Sequence, residues 1–454
     1  MSIRPIQNKV ITSDSLEYLK LFNDYQADIL FCDPPYALGS EVIIRQDGKV
    51  DYKKASDFMN KWEMPTGDYW EKWFIEAYRI LKYGGYLLMY GMDRQLLLFK
   101  YYASLAGFQE QQSIYWYYIS NFPKATNLSL SIDKNAGVQG QVGKGGFNVA
   151  GRGEQDNRKA KLFDRNEVDS GVGGYKEPKT DLAKKYEGYK YSISPLKQTC
   201  ETIMVFKKPN KTGSVLHDTL AMENGDNTIT CSALNIDGNR VGTDKINIHD
   251  APVGTFAGGE PNRGSDTESY REVEGRYPSQ TFIDSQVAEK LDLQSGINQT
   301  QGKTYNYTGV KEYEEEGFIS NIKPNSPSNY GDTGGCSKIL HKSDYEKIDF
   351  DLFIYNPKVS GQERNKGLSV NENNHPTLKP IELNKKILKL FKTPNEQVII
   401  YPFAGSGSEI IGGHKANFRN WFACEINDNY TKIANARIKY FEENDYEQLS
   451  LFDE

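Results

Sequence analysis

The feature that most constrains this chain is a strand-and-helix grammar confined to its two ends. Before about residue 135, Ile29 to Cys32 is an apolar run stopped by turn chemistry. Tyr69 to Lys82 carries Trp70, Trp73, Phe74, Ala77, Ile80 and Leu81 at helical spacing, and Gly84-Gly85 then reads as a helix stop. Tyr86 to Tyr90 follows as a strand, Gln95 to Ala106 as a helix and Ser113 to Ser120 as an aromatic strand. After about residue 351 the same grammar returns. Pro380 to Phe391, Gly407 to Ala416 and Asn427 to Phe441 read as helices, and Gln397 to Tyr401 and Trp421 to Cys424 as strands. The last dozen residues are acidic and expected to fray. Strands alternating with helices predict an α/β fold around a doubly wound, mostly parallel sheet.

The middle does not share this pattern. Residues 136–190 are rich in Gly, Lys, Asp and Arg without periodicity, which predicts a flexible loop. Within 191–210, Glu201 to Phe206 reads as a strand that returns to the core. Residues 211–350 stay polar and broken, and are not expected to continue the parallel sheet. The predicted organisation is therefore 1–135 and 351–454 as two halves of one domain, with an inserted, irregular recognition region at 211–350.

Composition excludes several classes. No apolar run is long enough for a membrane span, and none at the N-terminus resembles a signal peptide. The formal net charge is -6, so a nucleic-acid partner would have to be met by local basic patches. Cys32, Cys200, Cys231, Cys336 and Cys424 form no C-x-x-C pair. No metal site or disulfide framework is expected; free thiols in a reducing cytoplasm are.

Two motifs carry chemistry. Phe403-Ala404-Gly405-Ser406-Gly407 follows an apolar strand and precedes a helix. Such a glycine turn lets a ligand approach backbone N–H groups closely. About twenty residues on, Glu425 ends the next strand, where a carboxylate can accept from the two hydroxyls of a ribose. Alone, each also fits an ordinary turn or a solvated acid. Asp33-Pro34-Pro35-Tyr36 likewise ends a strand. Its prolines stiffen the backbone, so the Asp33 carboxylate and the Pro34 carbonyl form two fixed acceptors suited to the two N–H groups of an exocyclic amine. Tyr36 supplies a stacking face.

These residues resemble the S-adenosylmethionine-dependent methyltransferases that act on amino nitrogens of DNA bases. Asp33-Pro34-Pro35-Tyr36 is similar to their catalytic motif, and Phe403 to Gly407 to their cofactor loop. His375-Pro376-Thr377-Leu378-Lys379-Pro380 is similar to the segment that precedes that loop. The order, catalytic motif first and cofactor loop last, resembles the permuted β class. The resemblance covers about residues 10–135, 190–210 and 350–442. It implies a Rossmann-like methyltransferase fold, S-adenosylmethionine as cofactor and double-stranded DNA as partner.

It also implies roles. Asp33, Pro34, Pro35 and Tyr36 would hold a flipped base. Phe403, Ala404, Gly405, Ser406, Gly407 and Glu425 would hold the cofactor, with Asp14 toward its adenine and Thr377 and Lys379 toward its carboxylate. Trp116, Lys124, Arg240 and Arg276 are expected DNA contacts, and the basic residues between Lys144 and Arg165 a loop that orders on the DNA backbone. Aspartate in the first motif position points to N6 of adenine; N4 of cytosine is the alternative, and an RNA or protein methyltransferase or a catalytically silent DNA-binding protein is less favoured. A cognate restriction endonuclease and a homodimer are each compatible with the resemblance, which decides neither.

Overall fold

The computed structural model describes residues 4–35, 41–44, 50–53, 65, 68–118, 125–138, 178–192, 195–249, 270–283, 291–294, 298–300, 332–334, 341–342, 359, 361–368, 373–375 and 378–449. Tyr36, Lys124, Thr377 and the basic stretch 144–165 lie outside them.

In strand β2 (Ala27–Cys32) every residue is buried, as a strand covered on both faces must be. Its side chains alternate between two cores. Ile29 and Phe31 join one cluster, Leu30 and Cys32 the other. The same division sorts the helices. Helices α1 (Ser15–Leu19), α2 (Tyr69–Ile80) and α3 (Asp93–Ala106) pack on the Leu30 side. Helices α4 (Ile381–Phe391), α5 (Ser408–Lys415) and α6 (Asp428–Leu449) pack on the Ile29 side. The result is a three-layer α/β/α body. Trp73 of α2 is fully buried and donates its indole N–H to Ser15 Oγ at 2.7 Å, which satisfies the one polar atom it takes into the core.

Among the described residues the central sheet has ten strands. Besides β2 these are β1 (Val10–Thr12), β3 (Leu81–Gly91), β4 (Gln109–Glu110), β5 (Ile114–Tyr117), β6 (Cys200–Lys207), β7 (Thr281–Ile283), β8 (His341–Lys342), β9 (Val398–Tyr401) and β10 (Asn420–Glu425). Their order is β1-β10-β9-β2-β3-β6-β5-β7-β8, with β4 beside β6. Strands β1, β10, β9, β2 and β3 run parallel, whereas β6 is antiparallel to both its main neighbours. The two ends of the chain meet at β2 and β9, in register Ile399 to Ile29. Asp28 fastens this junction: its Oδ2 accepts from Val398 N at 2.7 Å, and its carboxylate pairs with Lys82 at 3.0 Å.

Four sequence expectations are corrected. Gly84-Gly85 does not stop a helix, because α2 already ends at Ile80 and the glycines lie inside β3. Gly84 has φ +80°, and a Cβ there would sit 2.6 Å from the Thr230 carbonyl, so the pair lets a second segment press against the strand. The middle region does extend the sheet: β7 pairs parallel with β5, and β8 with β7. These strands are too short to show a period. Nor is there a structural break at residue 210. Tyr86 donates to the Ser232 carbonyl at 2.6 Å, and Asn235 N to the Leu390 carbonyl at 2.8 Å, which ties this segment to the body. Finally, α6 continues to Leu449, well into the tail expected to fray.

Candidate active site

A parallel sheet delivers the carboxyl ends of its strands to one edge, and ligands bind there where the strand order reverses. In this sheet that edge gathers Ser13 and Asp14 after β1, Asp33 to Pro35 after β2, Pro402 to Ser406 after β9 and Glu425 at the end of β10. All of them except Ala404 line one cavity of about 270 Å³. Leu378, Lys379 and His375 close it from the segment before α4, and Tyr69 from the start of α2.

On the glycine side, Gly405 and Gly407 have φ +50° and +84°, a region costly for other residues. A Cβ on Gly405 would lie 3.0 Å from His375 Nε2. Gly405 N donates to Glu425 Oε2 at 2.9 Å, and Asn427 N to Glu425 Oε1 at 2.9 Å. Burial pushes the Glu425 carboxyl up, against the pull of these N–H donors. Each oxygen keeps a second lone pair for a ligand hydroxyl. Asp14 caps α1 by accepting from Glu17 N at 3.1 Å, and takes the Tyr69 hydroxyl at 3.2 Å on its other oxygen. Phe403 packs on Trp70 and Trp73, with ring centroids 6.1 and 5.8 Å away. Ala404 and Ser406 are buried.

Sequence reasoning missed the brace beneath this turn. Arg437 of α6 is fully buried and donates to the Ser406 carbonyl at 2.6 Å, Ser406 Oγ at 3.1 Å and Ser408 Oγ at 3.3 Å. Burial lowers its pKa to about 10, a value at which it still carries its charge near neutrality. No motif announces an arginine in the middle of a helix; only its burial does.

On the aspartate side, Lys379 is the main finding. It is 1% exposed, and its Nζ lies 2.5 Å from Asp33 Oδ2 and 3.5 Å from Glu201 Oε2. The ammonium also sits 4.7 Å from the Tyr90 ring centroid. Burial alone would lower its pKa, but the Asp33 and Glu201 carboxylates outweigh that and hold it above the ordinary lysine value. Lys379 was expected to face a cofactor carboxylate. It is instead engaged by two carboxylates of the protein. Glu201 reaches this edge because β6 is antiparallel, so its first residues stand beside the last ones of β3, with Thr202 opposite Gly91. Glu409 of α5 completes the cluster; burial first, and then the Asp33 charge, raise its pKa to about 7. Gln95 Nε2 donates to the Pro35 carbonyl at 3.1 Å and steadies the two-proline turn.

The expected DNA contacts fare differently. Trp116 is 2% exposed and packs against Tyr118, because the alternation of β5 turns Ile114 and Trp116 into the core. It offers no face to a base. Arg240 pairs with Asp237 at 2.7 Å and donates to the Gly275 carbonyl at 3.4 Å, with its side chain only 10% exposed. It ties the hairpin Val241–His249 and Tyr270–Arg276 to the preceding turn. Arg276 is half-buried in that hairpin, opposite Val241. Among the described residues no cluster of His, Cys, Asp or Glu could hold a metal ion, and no helix is long and apolar enough to cross a membrane.

A family profile described as DNA methylase, of the N6/N4 methyltransferase type, matches residues 27–138 and 172–436. The type II methyltransferase M.BamHI of Bacillus amyloliquefaciens is 31% identical over 86 residues, 19% of this chain and 18% of that protein. The type II methyltransferase M.HpaI of Haemophilus parainfluenzae is 25% identical over 125 residues, 27% of this chain and 36% of that protein. The matches thus span well under two thirds of either relative. Among solved structures, the cytosine-N4-specific PvuII DNA methyltransferase is 10% identical, with 97% of this chain and 92% of that one aligned at a TM-score of 0.36, a level from which nothing about this chain follows. The profile, by contrast, takes in both halves of the body and most of the cavity wall, and by that match the chain belongs to the N6/N4 methyltransferase family of DNA methylases.

Proposed function

We propose that this protein is a site-specific DNA methyltransferase that uses S-adenosylmethionine and methylates N6 of adenine in duplex DNA. The observation that carries the reading is that Asp33, the glycine turn at Gly405 and Glu425 line one cavity at the carboxyl ends of adjacent parallel strands.

The cavity suits the cofactor chemically. Glu425 and Asp14 are acceptors for a ribose diol and an adenine amine, and Phe403, Tyr69 and Ile426 offer apolar surface to a flat ring. Gly405 and Gly407 leave the approach to the turn clear. When bound, the cofactor supplies an activated methyl group on a sulfonium centre.

The chain's own residues do the rest. A base inside a duplex is out of reach, so it must be flipped out, at a cost of a few kcal/mol. Asp33 and the Pro34 carbonyl accept the two N–H groups of the extruded amine. That favours a pyramidal nitrogen whose lone pair points away from both acceptors. Tyr36 stacks on the ring. Catalysis is then mainly alignment for in-line transfer within a fixed polar site. No covalent intermediate is required; Cys32 and Cys424 are buried with thiols pushed up by burial, which suits them to packing rather than attack.

The test is to express the chain, digest the host DNA to nucleosides and identify the methylated base by mass spectrometry. N6-methyladenine is expected. N4-methylcytosine alone would overturn the adenine assignment, and no methylated base would overturn the reading as a DNA methyltransferase.

A further inference from the structure

We propose that Lys379, backed by Glu201, is a positioning residue for Asp33: it fixes the rotation of the Asp33 carboxylate and stabilises its charge, so that the target amino group meets an acceptor in one orientation. This rests on the reading of Asp33 as the acceptor for that group.

Three separate parts of the chain build the arrangement. Asp33 leaves β2, Glu201 opens β6, and Lys379 precedes α4. The backbone around Asp33 is already stiffened by Pro34 and Pro35, and Gln95 holds the Pro35 carbonyl. What remains loose in such a turn is the aspartate side chain. An ammonium 2.5 Å from Oδ2 removes that freedom. Glu201 in turn holds the ammonium, and its Oε1 accepts the Tyr118 hydroxyl at 3.3 Å, so the relay ends on a residue buried in the core.

Stability gives no reason for this cluster. Lysine is almost never fully buried, and a buried ion pair is often replaceable by apolar residues without loss. Here Lys379 is engaged by Asp33 and Glu201, with Glu409 close by, and gathering these groups in the core costs desolvation energy. Ionisable groups buried together at the wall of a cavity are the mark of a site shaped for chemistry. Among the described residues, the other ionisable groups facing it are Tyr90 of β3, Tyr401 of β9 and Cys32, which stay neutral, and Arg437 from α6 beyond Glu409.

The experiment compares wild type with Lys379→Met, Lys379→Arg and Glu201→Gln. It reads kcat, the cofactor KM and the pH profile of methyl transfer to plasmid DNA. For Lys379→Met the expected result is a kcat lower by about 100-fold, the cost of a misplaced group in a positioned site. The cofactor KM stays within about 3-fold, since that end of the cavity is untouched. The acid limb of the profile moves up by about one to two pH units, because an aspartate that loses its cation beside Glu201 and Glu409 protonates earlier. Lys379→Arg, which restores the charge, recovers part of kcat, and Glu201→Gln falls between. A raised cofactor KM with kcat kept would overturn the proposal in favour of a cofactor contact. A lower kcat with an unmoved acid limb would overturn it in favour of a scaffold role. If Lys379→Met does not fold, the charge-compensated pair Lys379→Met with Glu201→Gln replaces it; the same loss of kcat supports the proposal and wild-type kcat overturns it. A wild-type chain that methylates no DNA overturns the underlying reading as well, whereas an active wild type with an indifferent Lys379→Met overturns this proposal alone.

Discussion

Gly405 donates its backbone N–H to Glu425 Oε2 across 2.9 Å, so the glycine turn after one strand is fastened to the acid that ends the next. Two motif elements twenty residues apart thus act as one piece of structure. Gly405→Ala strikes this piece twice, through a left-handed φ of +50° and through a Cβ 3.0 Å from His375 Nε2. The strain is worth about 1–2 kcal/mol. Calorimetry with S-adenosylmethionine should show binding weakened by about 10-fold, with a lower melting temperature. Unchanged affinity would separate the turn from the cofactor site.

Arg437 gives a purely structural prediction. Its removal leaves the Ser406 carbonyl and two serine hydroxyls in the core without their donor. Arg437→Met should cost about 3 kcal/mol of stability, the range for buried polar groups stripped of partners. Denaturant unfolding monitored by tryptophan fluorescence measures it, and a cost under about 1 kcal/mol would show that the turn stands unaided.

Glu409 sets a pH dependence whose sign can be worked out. Its folded-state pKa, about 7, lies above the ordinary glutamate value of 4.5. The folded state therefore binds this proton more tightly than the unfolded chain. The associated stability is complete below about pH 4.5 and is lost as pH rises through about 7. Glu409→Gln, which is always neutral, should gain melting temperature relative to wild type between pH 5.5 and pH 8. Parallel melting curves across that range would contradict the assignment.

Much of this was legible in the residues, and what was not has physical causes. Apolar runs ended by Asp33-Pro34-Pro35 and by the glycine turn located β2, β9 and the edge they share, because strand termini and turns are local. Lys379 was legible as a site residue but not as the partner of Asp33, since the pairing spans 346 positions and depends on β6 running antiparallel to bring Glu201 in. Trp116 was misplaced because an aromatic strand does not reveal which face is covered. Only the pairing of β5 with β6 and β7 shows that Trp116 points inward. The glycines in β3 read as a helix stop because the segment that presses on them lies 146 positions downstream.

Arg240 illustrates the same limit and is testable. An arginine beside a glycine turn was expected on DNA, yet its guanidinium is committed to Asp237 and the Gly275 carbonyl. A phosphate contact removed by mutation reduces the salt slope of DNA binding by about 1. Arg240→Ala should leave that slope unchanged in a titration of binding against salt. A reduced slope would return Arg240 to the DNA interface.

On the proposed reading, Asp33 holds the target amino group while the cofactor is held elsewhere in the same cavity. The most direct measurement is single-turnover methyl transfer by Asp33→Ala, paired with its S-adenosylmethionine affinity. Transfer is expected to fall by at least about 100-fold, the scale for a lost positioning contact, with affinity within about 3-fold of wild type. Transfer at the wild-type rate would contradict it and remove Asp33 from the reaction.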